Sequence, residues 1–225
     1  MSLLRKTVRT LVDPTGVRRK RAQEFEWWRE RRATLGNLHY RWFYTEHFGL
    51  STDFYAGKRV LDIGCGPAGS LEWAGMAAER IGLDPLADAY RKLGIELHQM
   101  TYVNAPVERI PFPQGYFEIV AAINSLDHVE DPRRAIREIC RVTAPGAALL
   151  LIVEVNHPPT PVEPHSLGWD VVDLFRPEWE VTLERHYAEG PGHMLLVDVQ
   201  RGIPYDHDAS PDAPGVLSVL MTRRP

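Results

Sequence analysis

Asp62 stands two positions ahead of a glycine-rich turn, in the run Val60-Leu61-Asp62-Ile63-Gly64-Cys65-Gly66-Pro67-Ala68-Gly69. The glycines let the backbone approach a ligand to distances that any Cβ would forbid. The spacing Gly64-x-Gly66-x-x-Gly69 alone also fits a dinucleotide-binding loop. A carboxylate at Asp62 repels a pyrophosphate, however, and suits a ligand carrying an amino group and a positive centre. Asp84 follows 22 positions later, about where an acid meets ribose hydroxyls in nucleotide-binding sheets. Farther on come Glu108-Arg109-Ile110-Pro111-Phe112 and then Asn124-Ser125-Leu126-Asp127-His128-Val129. Asp127 reads as the cap of a short helix. His128 is the candidate base for a hydroxyl acceptor.

Glu154, His157, Glu163 and His165 could lie near Asp127 at one strand edge. No pair among them has the tight spacing of helical metal ligands, and prolines intervene, so no metal site is expected. Tyr205-Asp206-His207-Asp208 reads as a solvated turn.

These residues need a scaffold, and the chain supplies an alternating one. Val60–Ile63 reads as a short buried strand, with a helix expected from about Ser70 to Ala78. Arg80–Leu83 is a second strand ended by Asp84-Pro85, followed by a helix from Leu86 to Leu93. Glu96–Val103 is a third strand candidate. Phe117–Ala122 is a fourth, apolar except for Glu118, as expected where both faces are covered. Asp131 caps the next helix, Pro132 fits its first turn, and Ala135, Ile136, Ile139, Cys140 and Val142 form its apolar stripe. Pro145-Gly146 is expected to end that helix ahead of a fifth buried strand, Ala147–Val155. Such alternation implies parallel strands with right-handed crossovers. Beyond Val155, Asn156–His165 is a loop, Leu167–Phe175 a helix candidate, and Val181–Tyr187 and Val216–Met221 strands. His193–Val199 fits either a strand or a short helix.

The 225 residues, 44% hydrophobic and 25% charged, suit one α/β domain with short additions. It divides into a basic, aromatic helical cap (1–56), a ligand-binding core (57–155) and a C-terminal part carrying the substrate loop and last strands (156–225). The longest apolar run, Ala147–Val153, is too short to span a bilayer. The N-terminal residues lack the apolar core of a secretory signal. Only Cys65 and Cys140 occur, which excludes a disulfide framework and fits a cytoplasmic protein. Residues 1–32 carry ten Lys/Arg against four acids, a charge of +6, which leaves −10 of the total −4 elsewhere. That basic arm reads as a solvated helix, and the acidic remainder disfavours nucleic acid. Its neighbours Tyr40, Trp42 and Tyr44 could wall a ligand, favourably for a sulfonium. A homodimer is compatible with these numbers.

Taken in order, the motifs resemble the class I S-adenosylmethionine-dependent methyltransferases, particularly the small bacterial type with Asp-x-Gly-Cys-Gly-Pro-x-Gly in its first loop. The resemblance runs from about Lys58 to Glu154 and includes the helix-to-strand turn Arg141-Val142-Thr143-Ala144-Pro145-Gly146. It implies a doubly wound, Rossmann-like, mostly parallel sheet with an N-terminal helical cap and an antiparallel C-terminal strand. It implies S-adenosylmethionine as cofactor: Gly64, Cys65 and Gly66 against the methionine portion, Asp62 on its ammonium, Asp84 on the ribose, and Pro85 and Leu86 along the adenine. The backbone of Val107 and the side chain of Glu108 would read the adenine edge, with Asn124 completing the set. Where the family often has an acid two positions before that glutamate, Pro106 stands here. The acceptor expected is a small polar molecule, of sugar or natural-product type, methylated on a hydroxyl with His128 as base. The alternatives are an NAD-dependent oxidoreductase and a non-catalytic binding module.

Overall fold

The computed structural model describes residues 16–31, 36–192 and 194–225. Its centre is a seven-stranded sheet of order β3-β2-β1-β4-β5-β7-β6. β1 (Arg59–Ile63), β2 (Glu79–Leu83), β3 (Thr101–Val103), β4 (Phe117–Ile123) and β5 (Thr143–Val155) run parallel. β7 (Gly215–Arg223) returns antiparallel along β5, and β6 (Trp179–Ala188) pairs antiparallel with β7 at the sheet edge. The expected antiparallel C-terminal strand is thus present. Among the described residues no helix is long and apolar enough to cross a membrane.

Side chains alternate across a strand, so a sheet buried on both faces needs apolar residues at every position. β4 and β5 meet that demand. Val120, Ala122, Leu149, Leu151 and Val153 enter one core. Ile119, Ala121, Ile123, Leu150 and Ile152 enter the other. Glu118, the lone acid of β4, sits at its amino end, where its carboxylate holds Arg59 of β1 through several contacts. α4 (Pro132–Val142) covers the first core with Ala135, Ile136, Ile139, Cys140 and Val142, and the Asp131 carboxylate accepts from the Arg134 amide at 3.0 Å as its cap.

Several elements differ from expectation. Residues 70–78 form successive tight turns instead of a helix, with each amide bonding three residues back: Glu72 to Gly69, Ala74 to Leu71, Ala77 to Ala74. Gly75 lies inside this run, where its backbone freedom disfavours a continuous helix. The helix after β2 is one turn, α3 (Ala87–Tyr90), extended by a 3-10 turn that Gly94 stops in the left-handed conformation. β3 retains only the last three residues of its expected range, because Ile95–Leu97 is a 3-10 turn. Pro145-Gly146 lies within an irregularity of β5, whose pairing with β4 jumps from Phe117↔Thr143 to Ile119↔Ala148. Trp169–Phe175 is 3-10 rather than α. The ambiguous late segment is helical, α5 (Leu195–Arg201).

The N-terminal cap contains α1 (Val17–Arg31) and α2 (Tyr40–Tyr44). α2 is anchored by Phe43 and Tyr44, both buried in the second core. Arg5, Lys6, Arg9 and Arg32 of the basic arm lie outside the described residues.

Candidate functional site

The carboxyl ends of β1, β2, β4 and β5 form one edge of the sheet, and the singled-out residues converge there. β1 delivers Asp62 and then turns at Gly64 and Gly66, both with positive φ (67° and 58°), where glycine is favoured. A Cβ on Gly64 would collide with Ser125, so the turn is pressed against the segment after β4. Cys65 directs its thiol away, beneath the loop: a Cβ on Gly82 would stand 2.6 Å from its Sγ. The part of Cys65 available to a ligand is its main chain.

Asp62 and Asp84 are both buried, 2% and 6% exposed. Asp62 accepts from the Tyr44 hydroxyl at 2.9 Å and from Ser70. Asp84 accepts from the amides of Leu86 at 2.8 Å and Gly66 at 3.2 Å, one on each oxygen. Burial pushes Asp62 up to about 7 against the relief from Ser70 and Tyr44, and Asp84 adds to the rise. Burial likewise raises Asp84 to about 6, opposed by its two amide bonds. Each carboxylate is oriented by neutral donors, and neither has an ion-pair partner among the described residues. Two oriented, desolvated acids beside a glycine cradle fit a ligand with a cationic end and a vicinal diol. Tyr44 and Ser70 were not singled out as Asp62 partners in the sequence. The clustering of aromatics near residue 44 was the only trace of the first.

α1 lies across this crevice. The Trp28 ring is against the loop, where a Cβ on Gly66 would stand 2.7 Å from its Cζ2. Phe25 and Trp28 pack on Leu86, Tyr90 and Ile95, the apolar surface expected to face an adenine. Lys20 donates to the His128 carbonyl, and Arg21 pairs with Glu130 at 3.3 Å. A depression of about 280 Å³ opens beside the loop, lined by Pro67, Ala68, Leu93, Gly94 and His98, and is bounded by neither Asp62 nor Asp84. α1 therefore lies over Gly66 and Leu86 in this structure.

His128 follows β4 at this edge, its Nδ1 3.4 Å from Glu24 of α1 and its Nε2 3.7 Å from Glu163. Burial alone would lower its pKa, but Glu24, Asp127 and Glu163 outweigh that and hold it above its ordinary value. The carboxylates of Glu24 and Glu163 thus flank the two ring nitrogens of His128. Glu108 accepts from the amides of Glu130 at 2.7 Å and Asp131 at 3.0 Å through one oxygen, which fixes the loop ahead of α4. Val107 is buried in the core. Asn124 takes a left-handed conformation, φ 56°, with its amide on the Ile152 carbonyl at 2.8 Å.

Asp127 departs from its expected part. It caps nothing: fully buried, neither of its oxygens receives a hydrogen bond among the described residues. It faces Glu154 and His157 instead, all three buried. His165 stands apart, its Nε2 on the Glu130 carbonyl at 3.2 Å. His207 pairs with His186 on β6.

Residues 61–151 match the family described as "Methyltransferase domain". A probable chloroplastic tocopherol O-methyltransferase of Oryza sativa is 28% identical over 181 residues, covering 73% of this chain and 49% of that protein. A ubiquinone/menaquinone biosynthesis C-methyltransferase of Edwardsiella ictaluri is 33% identical, covering 45% of this chain and 44% of that protein. The chain thus spans about half the length of these relatives. Among solved structures, an S-adenosylmethionine-dependent methyltransferase from Mesorhizobium loti has a TM-score of 0.54 at 18% identity, over 75% of this chain and 92% of that one. The [4+2]-cyclase SpnF shares the fold at the same TM-score and 21% identity, over 77% and 79%. Residues 61–151 thus resemble a methyltransferase domain, and the solved structures share the fold of the whole sheet.

Proposed function

We propose that this chain transfers the methyl group of S-adenosylmethionine to a hydroxyl of a small polar acceptor. The observation that carries the reading is the pair of buried carboxylates at the ends of β1 and β2, Asp62 and Asp84, with a glycine cradle between them. The relatives named above methylate oxygen in one case and carbon in the other. The preference for oxygen rests on the histidine at the carboxyl edge of β4.

When bound, S-adenosylmethionine supplies an electrophilic methyl carbon on a sulfonium. Asp62, ionised and steadied by Tyr44, holds the ligand's ammonium. The main chain of Gly64, Cys65 and Gly66 admits its methionine portion without a side chain in the way. Asp84 keeps one lone pair on each oxygen for the ribose hydroxyls while the Leu86 and Gly66 amides fix its plane. Leu86 and Pro85 would hold the adenine, with Val107, Glu108 and Asn124 as the residues proposed to recognise its edge. Positioning and exclusion of water supply most of the rate in such a displacement. His128, at the carboxyl edge of β4, would take the acceptor's proton as the methyl group is transferred.

A second reading, a module that retains the fold without catalysis, draws support from Trp28 lying against the cofactor loop. One experiment separates the readings. Calorimetric titration with S-adenosylmethionine, and separately with NAD, should give micromolar or tighter binding for the former alone. Labelled methyl incorporation into a panel of hydroxylated metabolites should follow. Binding without transfer to any acceptor class would favour the module, and no binding of either cofactor would remove the enzyme assignment.

A further inference from the structure

We propose that Asp127, Glu154 and His157 form a binding site for one divalent transition-metal cation at the carboxyl edge of β4 and β5. The three come from different stretches, the segment after β4, the end of β5 and the loop beyond it. Only the parallel pairing of the two strands brings them together. One ligand atom from each lies within 4.8 Å of the other two. A cation bound at about 2.1 Å from nitrogen and oxygen needs its ligand atoms roughly 3–4 Å apart, so small side-chain adjustments would close the site.

The unsatisfied atoms point to a missing cation. Asp127 is wholly buried, with both oxygens unpaired by any hydrogen bond among the described residues. A desolvated carboxylate in that state costs several kilocalories per mole unless a positive charge meets it. Its nearest polar neighbour is His157, whose Nε2 is 3.6 Å from Oδ2, beyond hydrogen-bond length. His157 Nδ1 is 3.0 Å from the Pro158 carbonyl, which accepts its proton, so Nε2 is the ring nitrogen turned toward Asp127. That is the orientation by which a backbone carbonyl prepares an imidazole for metal ligation. Lys20, whose charge also reaches Asp127, donates to the His128 carbonyl instead.

One imidazole and two carboxylates suit Mn²⁺, Fe²⁺ or Zn²⁺ better than the all-oxygen preference of Ca²⁺. Three protein ligands leave an open position for an oxygen donor of a small molecule. A second grouping, Asp127 with His128 and Glu163, is the weaker candidate. There His128 already sits between Glu24 and Glu163, which occupy both of its ring nitrogens. The rival occupant of the first site is a proton on His157 Nε2, bonding to Asp127.

Chelator-treated protein, without S-adenosylmethionine, is titrated calorimetrically with Mn²⁺ and separately with Zn²⁺. The absence of cofactor makes the outcome independent of the methyl-transfer reading. One ion per chain is expected, with Asp127→Asn, Glu154→Gln and His157→Gln each weakening binding by about tenfold or more. Glu163→Gln should change it less than about twofold. Circular dichroism verifies folding, and if Asp127→Asn does not fold, the other two substitutions decide. The proposal is overturned if neither ion binds at one equivalent, which would leave the proton as occupant. It is equally overturned if binding survives both Glu154→Gln and His157→Gln. Loss of that binding in His207→Gln would then place the ion at the exposed His186–His207 pair.

Discussion

Asp84 shows how one side chain serves both fold and ligand. Its oxygens already orient the Leu86 and Gly66 amides, so replacing it removes a loop anchor as well as the acceptor for a ribose. Asp84→Ala should weaken S-adenosylmethionine binding by about 1.5–3 kcal/mol, or tenfold or more in dissociation constant, the range for hydrogen bonds to a charged group. Calorimetry measures this directly, and an unchanged constant would remove Asp84 from the site. Sequence position identified this residue because strand ends and ligand crevices coincide in doubly wound sheets. Asp127 could not be read the same way. Its character depends on Glu154 and His157, 27 and 30 positions away, and on the absence of any hydrogen bond to it, which only three-dimensional placement reveals.

At the scale of elements, α1 governs access. Its sequence reads as a solvated, charged helix and indeed buries no residue fully, yet Trp28 and Phe25 pack on Leu86, the residue proposed to lie along an adenine. The amphipathic signal is faint because the helix covers the crevice with two aromatic side chains instead of a continuous stripe. If α1 has to lift for ligand to enter, exposing those aromatics would lower apparent affinity and slow entry. Trp28→Ala should raise the association rate constant for S-adenosylmethionine by about threefold to tenfold in stopped-flow measurements. A rate equal to that of the parent protein would mean that α1 does not guard the entry path. The strands were legible because β4 and β5 are apolar at successive positions. The segment 70–78 was not, because Gly75 interrupts residues that otherwise favour a helix.

For the whole molecule, the two buried acids link ligand binding to global stability. In the folded chain Asp62 titrates near 7, against an ordinary 3.8. The unfolded chain therefore releases this proton first, and the folded state's advantage, complete below about pH 4, is lost as pH rises toward 7. For a displacement of this size the loss is on the order of 4 kcal/mol. The urea midpoint of the parent protein should therefore fall from pH 4.5 to pH 7.5 relative to Asp62→Asn, which lacks this titration. Parallel pH profiles for the two proteins would sink the assignment. A ligand ammonium needs the ionised acid, so S-adenosylmethionine affinity should decline by up to about tenfold per unit as pH drops below 7. The parallel core was legible at this scale from its alternation of strand and helix. The closed state of the crevice was not, because it arises between segments more than thirty residues apart that share no pattern.

Cys65 has a further consequence. Its sulfur is walled in between Gly82 and the underside of the glycine loop, and burial holds the thiol well above its usual pKa. Alkylating or oxidising reagents act on thiolate that they can reach, so Cys65 is chemically silent while β1, β2 and the loop remain joined. An oxidant would thus reach this sulfur only through an opening of the loop, and a chain that stays folded keeps it as a thiol.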